Sequence, residues 1–117
     1  MDRRTDTGRE GEDAALAVYR RRGFDLVARN WRCRIGELDL IVTRGDMLVF
    51  CEVKTRRGSG FGGGYEAVTG RKRTKVRAIT EAFLVSTRSR PGSIRFDVAS
   101  VTLGAGGPEV ELFEDAF

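Results

Sequence analysis

The sequence predicts an α/β fold: a mixed sheet in the order α-β-β-β-α-β, with a short strand appended at the C-terminal end. Three observations predict it. Two segments whose apolar residues recur at helical spacing alternate with segments dense in Val, Ile, Leu and Phe. A turn signal at Gly45-Asp46 separates two of the apolar segments and marks an antiparallel hairpin. The next strand is reached only through the second helix, and such a strand-helix-strand crossover within one sheet is parallel and right-handed.

Residues 8–22 read as the first helix. The acids Glu10, Glu12 and Asp13 come early, Ala15, Val18 and Tyr19 recur at helical spacing, and Arg20 to Arg22 come late. That charge order suits the helix dipole, and Gly23 is a natural stop. Residues 24–31 form the first strand. Residues 37–43 (ELDLIVT) and 47–55 (MLVFCEVKT) are the clearest strands, and the glycine-rich stretch 57–64 is irregular. A second helix covers 66–86, with Val68, Val76, Ile79 and Phe83 on one face and Gly70 weakening its first turns. Pro91-Gly92 breaks the chain before the strand 94–103, and a turn at 104–108 leads to the final strand, 109–113.

The chain has 117 residues, enough for one domain spanning 1–117. It contains no histidine, which excludes mechanisms that use imidazole as base or metal ligand. Any chemistry must rest on carboxylates and amines. Cys33 and Cys51 lie in no C-x-x-C pattern and read as reduced cytosolic thiols. The charged N-terminus lacks the apolar core of a signal peptide, and the longest apolar run is the five residues from Met47 to Cys51. The expectation is a cytoplasmic protein with no membrane partner. Its net charge of +4 is unevenly spread: residues 54–77 hold eight bases and one acid, whereas the last fifteen residues hold four acids and no base.

The hairpin brings chemistry-bearing residues together. Alternation in 47–55 puts Leu48, Phe50, Glu52 and Lys54 on one face, with Glu52 and Lys54 roughly 6–7 Å apart. With Gly45-Asp46 as a two-residue turn, Arg44 faces Met47 and Asp39 faces Glu52. Two facing carboxylates repel, and a divalent cation is a natural compensator. Lys54 could then orient or deprotonate an attacking water. The plainer alternative is a half-exposed Glu52–Lys54 charge pair beside a solvated Asp39.

Six blocks are recognisable together: Gly11-Glu12-Asp13, Arg29-Asn30-Trp31-Arg32, Gly36-Glu37-Leu38-Asp39-Leu40-Ile41, Phe50-Cys51-Glu52-Val53-Lys54-Thr55-Arg56, Phe61-Gly62 with Glu66-Ala67-Val68, and Arg95-Phe96-Asp97-Val98. They resemble the YraN-like family of small bacterial proteins, which is similar in layout to the restriction-endonuclease-like superfamily and its archaeal Holliday junction resolvases. The resemblance implies a D…E-x-K metal site for Mg²⁺ or Mn²⁺ formed by Asp39, Glu52 and the Val53 carbonyl, with Lys54 catalytic and Glu12 as a helix-borne acid. Leu38 stands where the superfamily usually has proline.

Among the remaining features, Arg56, Arg57, Arg71, Lys72 and Lys75 suggest a track for a nucleic-acid backbone. Glu37 shares the face of Asp39 but reads as a strand-end surface charge, and Phe61 and Tyr65 read as loop anchors. Two functions remain open: a metal-dependent nuclease acting on DNA, branched or single-stranded forms included, and a non-catalytic nucleic-acid-binding or adaptor module. A cutter of both strands calls for two sites and hence a homodimer.

Overall fold

The computed structural model describes residues 3–58 and 70–116. The element order is α1 (Arg3–Arg21), β1 (Asp25–Arg32), β2 (Glu37–Arg44), β3 (Met47–Arg57), α2 (Gly70–Thr87), β4 (Ser93–Gly104) and β5 (Gly107–Phe113). The five strands form one mixed sheet in sequence order. β3 and β4 are parallel, and the other neighbouring pairs are antiparallel. This is the predicted α-β-β-β-α-β core with its added C-terminal strand.

Helix α1 starts five residues before the predicted Gly8. Its early turns are tied to β3 by Arg57, whose guanidinium donates to Thr7 Oγ1 at 3.0 Å and Glu10 Oε1 at 2.8 Å. The helix ends as expected at Gly23, with φ +87°, where the Phe24 N–H donates to the Tyr19 carbonyl at 3.0 Å. The predicted start of the second helix at residue 66, Val68, and the loop aromatics Phe61 and Tyr65 lie outside the described residues.

The two helices cover opposite faces of the sheet. Ala15, Leu16 and Tyr19 of α1 pack with Leu40, Val42, Val49, Cys51, Ala99 and Val101. On the other face Val76, Ile79 and Phe83 of α2 pack with Leu38, Ile41, Leu48 and Phe50. Trp31 joins this second core edge-on to Phe83, with ring centroids 5.3 Å apart. Gly11 explains how closely α1 lies on β3, because a Cβ there would come within 1.8 Å of Thr55 Oγ1. That approach places the next residue, Glu12, beside the end of the hairpin.

The α1 side also holds one fully buried carboxylate. Asp97 on β4 accepts from Tyr19 Oη at 2.7 Å, from Arg95 Nε and Nη2 at 2.9 Å each, and from the Asp115 N–H at 3.0 Å. Burial, then the neighbouring Cys51 and Asp97, hold the Tyr19 phenol above its ordinary range, so it stays a donor. Arg95 rests over the Phe24 ring at 5.7 Å. Asp97→Ala removes the acceptor shared by three donor groups, so urea unfolding should register a loss of about 3–5 kcal/mol. A loss below about 1 kcal/mol would show that the network is dispensable.

Candidate functional site

The hairpin register follows the expectation from Arg44↔Met47 through Leu40↔Cys51. There it stops, one step short of the predicted Asp39–Glu52 ladder pair. Asp39 Oδ2 instead accepts the Val53 backbone N–H at 2.8 Å. The Asp39 carboxylate thus takes the place of a ladder carbonyl at the point where β2 and β3 part.

Strict alternation fails in β1 and β2 at the same level. Leu38 and Ile41, three residues apart, both pack in the α2 core, as do their partners Trp31 and Ala28. The β1–β2 pairing passes from Arg29↔Leu40 to Trp31↔Leu38 without pairing Asn30 to Asp39, and Asn30 has φ +52°. This irregularity sets Asp39 among acids from both sides of the sheet. Its carboxyl is pushed up to about 7, first by burial and then by the Glu52 charge; the Val53 N–H opposes the rise, and Glu12 and Glu37 add to it.

Glu12 reaches this region from α1 and is held there on both oxygens. Arg29 Nε donates to Oε1 at 3.2 Å and Asn30 Nδ2 to Oε2 at 2.9 Å. Asn30 can do so because its left-handed backbone turns the amide toward the helix. Glu37 pairs with Arg32 and lines the same groove as Glu52. It stands at the start of β2, as its reading as a strand-end charge on the face of Asp39 expects, and its pairing with Arg32 is partly exposed.

The basic residues divide into two groups. Arg71, Lys72 and Lys75 from the start of α2 line a groove of about 360 Å³ opposite Glu37 and Glu52, floored by Val76 and Ile79. Lys72 Nζ lies 3.1 Å from Glu52 Oε1. Lys75 packs over the β1–β2 turn, where its Cε would stand 2.9 Å from a Cβ on Gly36. Arg57, by contrast, is bound to α1, and Arg56 is half-buried near the end of β3. Lys54 is half-buried, and its side chain makes no hydrogen bond or ion pair with another described residue.

Among the described residues no three acidic or thiol side chains form a ready cage for a metal ion. The donors that could hold one are the Asp39 and Glu52 carboxylates with the Val53 carbonyl. A set of one or two carboxylates, completed by water, is what Mg²⁺ commonly takes. Cys51 lies nearby but is buried, and burial raises its thiol, so it is a poor thiolate donor. Both cysteines are free thiols. No helix among the described residues is long and apolar enough to cross a membrane.

The fold is a mixed α/β sheet whose central hairpin opens at Asp39 and Glu52, with the basic start of α2 across the groove from Glu52. Residues 11–101 match the family described as Uncharacterised protein family UPF0102, and the chain belongs to that YraN-like family. A UPF0102 protein of Parafrankia sp. is 49% identical over 80% of each chain. One from Rhodococcus jostii is 44% identical over 94% of each, and one from Clavibacter michiganensis 43% over 99% of each.

The state of Asp39 gives a direct test. Its folded value of about 7 lies above the ordinary 3.8, so the folded state binds this proton more tightly than the unfolded chain. The resulting stabilisation is complete below about pH 4 and is lost as pH rises toward 7. Asp39→Asn keeps an acceptor for Val53 without the charge. It should therefore stabilise the metal-free protein by on the order of 2 kcal/mol at pH 8, with the gain vanishing near pH 4. Thermal melts at the two pH values measure this, and an equal gain at both would refute the buried-charge account.

Proposed function

We propose that the protein is a Mg²⁺- or Mn²⁺-dependent nuclease that hydrolyses phosphodiester bonds in nucleic acid, with DNA as the first candidate. The observation that carries this reading is the closeness of Asp39 to Glu52 where the hairpin ladder ends, with Lys54 two residues further along β3 and the basic start of α2 across the groove from Glu52. Asp39 and Glu52 would hold the cation with the Val53 carbonyl. A bound cation supplies charge to stabilise the anion that grows on phosphorus.

The rest falls to the chain's own side chains. Lys54, two residues beyond Glu52 on β3, would orient the attacking water and manage its proton. Arg71 and Lys75 offer cations to the flanking phosphates. Cations at a helix start oppose the dipole by about 0.3–1 kcal/mol each, and α2 has no acid in its first turn to offset them. A polyanion would compensate them. The free thiols support a reducing, cytoplasmic setting, and cleavage of both strands of a duplex or junction would require a homodimer.

One observation favours the second reading, a non-catalytic nucleic-acid-binding module: Glu52 already has a cation partner in Lys72. Cleavage assays on duplex, single-stranded, flap, junction and RNA substrates separate the two. The nuclease should cut at least one substrate with Mg²⁺ or Mn²⁺ and lose roughly 10²-fold or more of its rate in Lys54→Ala. Binding that persists without metal, with no cleavage of any substrate, would establish the second reading instead. In either case, affinity should fall roughly 10²-fold between 50 and 200 mM salt if about four phosphates are contacted. Arg71→Ala and Lys75→Ala should each reduce the salt slope by about 1, measured by fluorescence anisotropy.

A further inference from the structure

The two walls of the groove meet where Lys72 Nζ lies 3.1 Å from Glu52 Oε1. Each partner stands in an environment unfavourable to its own charge. Lys72 lies at the positive end of the α2 dipole between Arg71 and Arg73. Glu52 lies beside Asp39, where its negative charge helps to raise the Asp39 carboxyl. The ion pair relieves both crowded charges at once. It is also only partly exposed, with side-chain exposures of 36% and 22%, so solvent screens it incompletely.

An ammonium group on Glu52 and a dication on the same carboxylate repel each other, so the two cations compete. Resting on the nuclease reading above, we infer that Lys72 is the internal counter-ion of the metal site. It holds Glu52 in the absence of metal, is displaced when a divalent cation enters, and then turns to a phosphate of the nucleic acid. Metal and nucleic acid would consequently bind with positive coupling, each favouring the other through the same side chain. Lys72 is on this account a positioning residue that links two ligands.

Mn²⁺ titration of the full chain, read from the electron paramagnetic resonance of free Mn²⁺, tests the competition without any measurement of turnover. Lys72→Met keeps the stem and removes the charge, and should tighten Mn²⁺ binding roughly fivefold, the worth of an ion pair of this kind. Lys72→Arg should stay near wild type. Arg73→Met, which makes the same change of net charge on the same turn outside the groove, should alter affinity less than about twofold. If Asp39→Asn abolishes binding but Lys72→Met leaves it unchanged, the counter-ion inference fails and the metal site stands. If no variant binds Mn²⁺, both fail.

A second measurement addresses the release of Lys72. For a non-cleavable single-stranded oligonucleotide, adding Ca²⁺ should steepen the salt slope of binding by about 0.7 more in wild type than in Lys72→Met. Equal steepening in the two proteins would overturn the transfer to phosphate.

Discussion

Asp97 is the constraint on which the arrangement depends. A carboxylate with no exposure to solvent would be untenable alone, and here Tyr19, Arg95 and the Asp115 backbone share it. Those partners come from α1, β4 and the C-terminal segment. The network fixes α1 by its C-terminal half, while the Gly11–Thr55 approach and the Arg57 bonds fix its N-terminal half on β3. With α1 located at both ends, Glu12 has little freedom, and its bonds to Arg29 and Asn30 complete its placement.

A sheet anchored in this way can tolerate an opening. Where β2 and β3 part, a backbone N–H of a buried strand would be left without an acceptor, an arrangement that costs about 1–3 kcal/mol. Asp39 supplies the acceptor from its side chain, so one residue both terminates the ladder and presents the central acid. The left-handed Asn30 is the matching irregularity on the neighbouring strand. Local rules are broken together here: alternation, like-charge avoidance, and the preference for acids at a helix start. Such a concentration of departures at one place is expected of a site selected for chemistry or binding rather than for stability.

The fold was legible in the sequence because its signals are local and mutually consistent. The Gly45-Asp46 turn set the hairpin register, and the single crossover through α2 required β3 and β4 to be parallel. The candidate site was legible in its members but only partly in its geometry. Alternation placed Asp39 opposite Glu52, whereas the structure brings Asp39 in through an irregularity that needs three strands and α1 to hold it. The same limit hid the contact between Lys72 and Glu52, since a helix and a strand twenty residues apart in sequence meet only through tertiary packing. Glu37 was placed on the correct face, but nothing in a linear pattern distinguishes a solvated strand end from the wall of a groove.

The absence of histidine then acquires a structural meaning. An imidazole near four carboxylates would titrate around neutrality and alter the charge of the site as it did so. Ammonium and guanidinium groups ordinarily hold their charge across that range, so protonation changes near neutrality fall to Asp39, whose carboxyl is pushed up to about 7. Lys72 neutralises Glu52 from across the groove, and the Lys54 side chain on the same strand makes no ion pair with another described residue. On the nuclease reading proposed above, the amine engaged by Glu52 supplies the counter-charge, and the other, two residues along β3, is the one left for the water.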